Sequence, residues 1–407
     1  MRSSSDIRYA LRALARSPGF TVTSVTTLAL GIGANVTIFS LANSMLIRPL
    51  PGLPHPEGLV TVRFYEEGGA YFPISHPNYS DLRDEARPYL QLAAYQPVPI
   101  HLVPQEGGRP ERLDGEIVSA NYFRLMGLSA ARGRLLTPDD AAPGATPVAV
   151  ISHRLWRRAY GADEKIVGSE ITINGIRFVV SGVAPERYLG AGLSSNTDVW
   201  VPISAHALTL PYHEGDVTTD RGDAIWFQLL GRLRTGTSMA VAERRLAAAT
   251  ASLVEAYPKQ NRMLSFTTPR LTAGAGANPF QRARIEKTLS IMLGVVFFVL
   301  LLACANALNL VLARATGRQR EMAIRRALGA GRFRLLRLFL SEGLIVGLGA
   351  GGAGLFLAAW LAGAFEGTRV IRWLPGIRAP ELDWLVLAFT VASSLAVGLV
   401  LGFVPRR

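Results

Sequence analysis

The sequence predicts a membrane protein of two parts: an α-helical portion with four transmembrane helices, and a mixed α/β extracytoplasmic domain inserted between helices 1 and 2. Three observations predict it. Stretches 17–47, 288–313, 343–365 and 384–405 are apolar and carry no charged residue. A bilayer core asks for about 20 apolar residues in a helix, and each stretch reaches that length. Between the first two lie 240 residues with the composition of an ordinary water-soluble domain, 26 Lys+Arg against 24 Asp+Glu. The surplus positive charge sits instead in short segments beside the apolar ones.

In chain order, segment 1–17 comes first. Ile7, Ala10, Leu11 and Leu14 follow helical spacing, with Arg8, Arg12 and Arg16 on a second face. This predicts a short basic amphipathic helix at the membrane surface, ended where Pro18-Gly19 turns the chain inward. Segment 18–47 is transmembrane helix 1. Its apolar run exceeds the roughly 7–15 residues of a signal-peptide core, so it is read as an uncleaved anchor. Segment 48–287 is the inserted domain. Residues 148–151 form a short apolar run fit for a buried strand, and 153–160 a helix carrying Leu155, Trp156 and Tyr160. Strand alternation on both sides of Asn174-Gly175 predicts a hairpin over 170–183. A strand over 226–233 and a helix over 239–257, closed by Pro258, complete an alternation typical of packed α/β layers.

Transmembrane helix 2 follows over 288–313, then a basic loop over 314–337, helix 3 over 338–365, a short loop over 366–383 and helix 4 over 384–405. Residues 314–342 hold eight Arg against Glu321 and Glu342, the N-terminal segment nets +3, and Arg406 and Arg407 close the chain. Lys and Arg in short loops mark the cytoplasmic side. The N-terminus, the 314–342 segment and the C-terminus are therefore expected in the cytoplasm, and the large domain and the 366–383 loop in the periplasm. The alternation is self-consistent for a multi-pass protein of the bacterial inner membrane.

Composition excludes several classes. With 49% hydrophobic and 18% charged residues the chain is too apolar for disorder, soluble domains usually carrying about a quarter charged residues. Forty glycines without a three-residue period exclude collagen, and the single Cys304 excludes a disulfide scaffold or a cysteine zinc cluster. The net charge of +13 suggests an anionic partner, but it is divided among short loops at helix ends, which points to membrane lipid and away from nucleic acid. No metal-ligand spacing links the six histidines; His206 and His213, with Glu214 and Asp216, come nearest and read as a solvated loop. Gly-Leu-Ser194-Ser195-Asn lacks nucleophile-elbow spacing. Asp139-Asp140 and Asp163-Glu164 read as helix starts or turns. The only lysines are Lys165, Lys259 and Lys287, and Lys287-Thr288 follows no glycine loop, so no P-loop is present. The reading is of a non-enzyme that holds no cofactor or metal of its own.

Two features concern helix packing and a partner. Gly343, Gly347 and Gly351 form overlapping G-x-x-x-G spacings, which predict close approach to a neighbouring helix. Asn306, Asn309 and Asn35 are candidates for hydrogen bonds between helices, and Cys304 for a small packing residue. In the basic loop, Met322, Ala323, Arg326 and Ala327 share one helix face, and Gly329 sits at a C-cap position. A short helix held between two spans is suited to receive a push from a cytoplasmic partner.

At this point the chain resembles the permease subunits of MacB/FtsX-like ABC transporters, in particular one unit of the duplicated orphan permeases abundant in acidobacteria. The resemblance rests on Asp6-Ile-Arg-Tyr-Ala-Leu-Arg-Ala-Leu, Ser17-Pro-Gly-Phe-Thr, Leu28-Ala-Leu-Gly-Ile-Gly-Ala-Asn35 and Leu46-Ile-Arg-Pro-Leu-Pro51. It continues in Asn121-Tyr-Phe-Arg-Leu-Met-Gly127, Ser152-His-Arg-Leu-Trp156-Arg, Asn174-Gly175 and Gly182-Val-Ala-Pro185. It closes with Arg320-Glu-Met-Ala-Ile-Arg-Arg-Ala-Leu-Gly-Ala330 and Ser341-Glu-Gly. It implies a MacB-like periplasmic core domain, a coupling helix between spans 2 and 3, and a separate cytoplasmic ATPase subunit that binds the ATP and Mg. It also implies a dimer with a second permease unit, in cis or in trans, and possible contact with a periplasmic adaptor. Carried over, the ATPase-coupling surface is Arg320, Glu321, Ile324, Arg325, Arg326 and Gly329, with Ile7, Arg8 and Leu11 as a second contact. The implied function is export by mechanotransmission; the alternative is an FtsX-like regulator of a periplasmic or cell-wall hydrolase. The orphan permeases repeat the unit twice, whereas this sequence contains it once.

Overall fold

The structure, a computed structural model, describes residues 8, 10–12, 14–43, 52–103, 110–142, 144–192, 196–210, 217–222, 226–274, 279–317, 332–366 and 383–403. The chain divides into two compact units, Met1–Arg48 with Pro279–Arg407, and Pro49–Asn278.

The inserted unit is built on one eleven-stranded mixed sheet. Its strands are β1 (Leu59–Glu66), β2 (Tyr71–Phe72), β3 (Leu90–Val103), β4 (Glu111–Val118), β5 (Arg132–Gly133), β6 (Val148–Ile151), β7 (Glu170–Ile173), β8 (Ile176–Val183), β9 (Val199–Pro202), β10 (Gln228–Leu233) and β11 (Thr267–Ala273). The spatial order is β11-β1-β10-β3-β4-β9-β6-β8-β5, with β2 beside β1 and β7 bridging β3 and β8. Among the described residues only β4–β9 and β6–β8 run parallel. The helices are α2 (His76–Ala86), α3 (Tyr122–Met126), α4 (His153–Tyr160), α5 (His206–Thr209), α6 (Met239–Ala256) and α7 (Arg262–Ser265); α1 is the first span, below.

Alternation along the strands explains why the sheet is covered on both faces. Val60, Val62 and Phe64 of β1, Ala149 and Ile151 of β6, and Val199 and Val201 of β9 join one core with Leu82 of α2, Leu155 of α4 and Leu246 of α6. Their neighbours Leu59, Val148, Val150 and Trp200 join a second core with Tyr122, Phe123, Leu125 and Met126 of α3. The strand over 148–151, the helix over 153–160 and the hairpin turning at Asn174-Gly175 stand where the sequence pattern puts them, Asn174 with φ +48° and Gly175 with φ +85°. His206 departs from the solvated loop expected of it. It opens α5, only 2% exposed, with its ring 6.2 Å from that of Phe227. His213, Glu214 and Asp216 lie outside the described residues.

The other unit is a bundle of four long helices: α1 (Pro18–Ala42), α8 (Pro279–Gly317), α9 (Arg332–Glu366) and α10 (Trp384–Phe403). Each contains a segment long and apolar enough to cross a membrane: Pro18–Ala42, Ala283–Arg314, Phe339–Leu361 and Trp384–Phe403. Pro18 suits the first helical turn, where its missing N–H costs nothing. At about 1.5 Å per residue, the 39 residues of α8 outreach a hydrocarbon core of about 30 Å. The helix accordingly starts well ahead of Thr288, where its first turns expose Arg284, Glu286 and Lys287. The bundle core centres on α1, whose Leu28, Ile32 and Val36 pack with Leu300, Ala303, Cys304 and Ala307 of α8, Val346 and Ala350 of α9, and Val386 and Val397 of α10. Cys304 is buried and free.

Candidate functional site

The most closely packed geometry in the helical unit is the set of contacts that tie its four long helices. The tightest is between α9 and α10. Gly343, Gly347 and Gly351 lie against Gly398 and Ser394; a Cβ on them would run into the Gly398 carbonyl, the Ser394 carbonyl and the Ser394 hydroxyl in turn. The facing row, Ser394, Gly398 and Gly402, has the same four-residue spacing, so small side chains meet from both sides. A Cβ on Gly33 of α1 would stand 3.0 Å from the Gly354 carbonyl oxygen on α9, and one on Gly31 would stand 3.1 Å from Leu300 Cδ1 on α8. Of the four helices α8 is the least buried in the bundle, with Phe297, Phe298 and Leu302 among its exposed apolar side chains.

Two polar contacts add direction. Asn35 Nδ2 donates to the Val296 carbonyl of α8 at 2.7 Å and to the Gly31 carbonyl at 2.9 Å. Asn306 and Asn309, expected to act likewise, lie exposed because α8 meets the bundle through the opposite side, Leu300, Ala303 and Ala307. Asn43, just past α1, donates to Asp383 Oδ2 at 2.7 Å, and Asp383 Oδ1 accepts from the Val386 N–H at 2.8 Å. Asp383 thus caps α10 while fastening it to α1. Phe39 and Phe389 stack at 4.2 Å on the same pair of helices.

Of the coupling surface, Arg320, Glu321, Ile324, Arg325, Arg326, Gly329 and Ile7 lie outside the described residues. Arg8 is exposed, and Leu11 is 51% exposed. Ala10 and Leu14 are buried, so the apolar face expected to include Leu11 is narrower than its spacing suggests. Thr21 Oγ1 donates to the Leu14 carbonyl at 2.9 Å, tying this segment to the first turn of α1.

In the inserted domain, polar clusters fasten elements together. Glu116 of β4 is 1% exposed. Its Oε2 accepts from Tyr122 Oη at 2.9 Å and Trp200 Nε1 at 2.8 Å, and its Oε1 from the Ala191 N–H at 3.3 Å. The Tyr122 and Tyr188 hydroxyls are 2.6 Å apart. Burial pushes the Glu116 carboxyl up from its ordinary range, opposed by the donors from Tyr122, Trp200, Thr197 and Ala191. Burial likewise drives the Tyr122 and Tyr188 hydroxyls well above the usual phenol range. One carboxylate thereby joins β4, β9, α3 and the segment after β8.

A second cluster pairs Arg134 with Asp140 through two contacts, 2.6 and 2.7 Å, while the Thr137 N–H donates to Asp140 Oδ2 at 2.8 Å. Asp140 therefore closes the helical turn over Pro138–Ala141, as expected of a carboxylate at a helix start. Asp163 does the same for the turn at Glu164–Ile166, accepting from the Lys165 N–H. Among the described residues no group of three His, Cys, Asp or Glu is gathered for a metal.

The family comparisons match these two units. A model for the MacB-like periplasmic core domain matches residues 21–249, and one for the FtsX-like permease C-terminal region matches 293–407. The chain belongs to the MacB/FtsX-like ABC permease family. It is 27% identical over 296 residues to the macrolide export ATP-binding/permease protein MacB of Burkholderia thailandensis, covering 71% of this chain and 40% of the relative. The MacB proteins of Burkholderia cenocepacia (28% over 294 residues, 71% and 39%) and Hahella chejuensis (25% over 291, 71% and 40%) are similar. The chain thus spans about two fifths of the length of these relatives. Among solved structures, the periplasmic region of MacB from Actinobacillus actinomycetemcomitans aligns with TM-score 0.39 at 16% identity, over 58% of this chain and 94% of that one. A permease domain from Porphyromonas gingivalis aligns with TM-score 0.41 at 16% identity, over 56% and 95%. As a MacB/FtsX-like permease the protein is an inner-membrane protein with four spanning helices and a domain of periplasmic type.

Proposed function

We propose that this chain is the permease part of a MacB-type ABC transporter, relaying ATP-driven motion of a cytoplasmic ATPase to its periplasmic domain to export a substrate. The observation that carries this reading is how the spans connect to the sheet. α1 leads into β1 and β11 leads out into α8, and the two strands are direct neighbours, Val60 paired with Ala273 and Glu66 with Thr267. A displacement between α1 and α8 therefore acts on adjacent strands of one sheet, which extends through shared hydrogen bonds to β5. The less buried α8 and the tightly packed α9–α10 pair support a bundle in which one helix shifts against the others.

In this reading the basic 314–337 segment faces the cytoplasm with both termini, and the ATPase docks on Arg320, Glu321, Ile324, Arg325, Arg326 and Gly329, with Ile7, Arg8 and Leu11 beside them. A second permease unit completes the assembly as a dimer, and a periplasmic adaptor continues the export path. Charge reversal of Arg325 and Arg326 together is expected to leave membrane insertion intact and uncouple ATP hydrolysis from transport in reconstituted vesicles. Unchanged coupling refutes the docking assignment.

The match to the FtsX-like permease C-terminal region over 293–407 fits a second reading equally, a regulator that activates a cell-wall hydrolase without transporting anything. Stimulation of a purified peptidoglycan hydrolase by the ATPase-bound permease, with no vesicle accumulation of candidate substrates, selects it over export.

A further inference from the structure

The chain enters the inserted domain through residues 52–58, a stretch that forms no strand. Pro54 and Pro56 lack an N–H, so the stretch is poorly suited to a ladder, and its carbonyls are what it has to offer. Arg232 of β10 takes two of them. Its Nη2 donates to the His55 carbonyl and its Nη1 to the Glu57 carbonyl, each at 2.9 Å. Its Nε donates to the Leu125 carbonyl at 2.7 Å, in the last turn of α3, where helix carbonyls lack partners within the helix. The guanidinium carries donors in a fixed fork, which lets one side chain serve three carbonyls from two segments.

The start of the stretch leads to the same helix. Gly52 lies with φ +78° against Arg187 and Tyr188, where a Cβ would stand 2.7 Å from the Tyr188 nitrogen. Leu53 packs on the core that contains Tyr122, Phe123 and Leu125, and the Tyr188 hydroxyl lies 2.6 Å from that of Tyr122. The exit is fastened differently: the Gly274 N–H donates to the Leu59 carbonyl at 2.8 Å, and Thr61 Oγ1 donates to the Gly274 carbonyl at 2.9 Å, both on β1. We infer that Arg232 is a positioning residue of the relay, clasping the entry stretch to β10 and α3. Displacement arriving from α1 then reaches α3 without first crossing the ladder from β1, whereas displacement of α8 enters through β11 at the edge of the sheet. The inference rests on the relay proposed above; the clasp itself does not.

The test uses the full chain in lipid nanodiscs, read by hydrogen exchange. The reporting amides are Leu59, Leu233, Gly127 and Leu128, which donate to the Pro56, Gly58, Arg124 and Phe123 carbonyls. Arg232→Lys keeps the charge but not the fork. Without any ATPase, these amides should exchange about tenfold or more faster in Arg232→Lys, with those of β6 unchanged. Arg177→Lys, an exposed residue outside the clasp, should match wild type throughout. The cytoplasmic ATPase is then added, with and without a non-hydrolysable ATP analogue. Wild type should show a nucleotide-dependent change in exchange at Gly127 and Leu128. Arg232→Lys should lose that change while keeping the one at β11, a pattern that a general loss of stability does not produce. Wild-type exchange at the reporting amides in Arg232→Lys overturns the clasp. A nucleotide-dependent change that still reaches α3 in the variant overturns the positioning role. No nucleotide-dependent change anywhere in the wild-type domain refutes the relay and the role of Arg232 within it, while the first comparison still judges the clasp. Should Arg232→Lys fail to fold, wild type decides: in graded denaturant the four amides should open together as one unit, and opening of α3 apart from Leu59 and Leu233 overturns the proposal.

Discussion

The α9–α10 contact allows a prediction whose sign changes within a single helix. A Cβ at Gly347 would run into the Ser394 carbonyl oxygen and stand 3.0 Å from the Gly398 nitrogen and 3.1 Å from its Cα. Optimal non-bonded separations are about 3.5–4.0 Å, so the two backbones must part by about 1 Å to accept a methyl group. Gly343 and Gly351, one turn to either side, are pressed as closely, and the separation would open contacts over about three turns of helix. Overpacking of a well-packed interface costs about 1–3 kcal/mol, and the spread over three turns places Gly347→Ala towards the upper end. Gly349 and Gly352, on the same helix, have nothing within 4 Å of an added Cβ. There, Gly→Ala gains helix propensity of up to about 1 kcal/mol. Reversible unfolding in mixed micelles, followed by tryptophan fluorescence, should therefore destabilise Gly347→Ala and leave Gly349→Ala neutral or stabilised, with Gly347→Leu worse than either. If the two alanine variants shift stability alike, the glycines are not holding the helices together and the reasoning fails.

Three further outcomes follow from the polar contacts. Glu116→Gln puts an amide among donors from Tyr122, Trp200 and Ala191, leaving at least one buried donor unmatched; a loss of about 1–3 kcal/mol is expected in denaturant unfolding, and an unaltered midpoint would deny Glu116 its fastening role. Burial pushes the Asp140 carboxyl up, but Arg134 and the Thr137 N–H outweigh it and hold the group below its ordinary value. The stability this contributes is present above the unfolded carboxyl's pKa and is lost as pH falls through the lower folded one, so wild type should lose its advantage over Asp140→Asn on acidification below about pH 4; a pH-independent difference contradicts it. Asn35→Ala, which removes the 2.7 Å bond to Val296, is expected to cost about 0.6–2 kcal/mol and loosen α8 in hydrogen exchange.

The fold class was legible because it rests on signals that are local in sequence: uncharged runs long enough to span a bilayer, and a positive excess gathered in short segments at alternate ends of those runs. The glycine row on α9 was legible for the same reason, but its partner was not singled out, although Ser394, Gly398 and Gly402 repeat the same spacing. One helix face states that a neighbour comes close; it does not say which one. Polar residues show the limit more sharply. Asn35, Asn306 and Asn309 look equivalent in sequence, yet only Asn35 is turned inward, because the sides of α8 that pack are set by where α1 lies. Glu116 looks like an ordinary charged residue on an alternating strand. Its burial arises only when β4 joins β9 in parallel and brings Trp200 across from it, over a sequence separation of 84 residues. The motif blocks turn out to be made largely of such pins. Ser152 caps α4 through the Leu155 N–H while Trp156 donates to the Asp163 carbonyl. Asn121 Nδ2 donates to the Leu92 carbonyl and Gly127 closes α3 with φ +71°. Gly182 admits the Arg132 and Arg134 carbonyls where a Cβ would collide with them. Residues that carry the family resemblance in this domain are thus the ones that hold its sheet as a single body, and the relay of motion proposed above requires such stiffness.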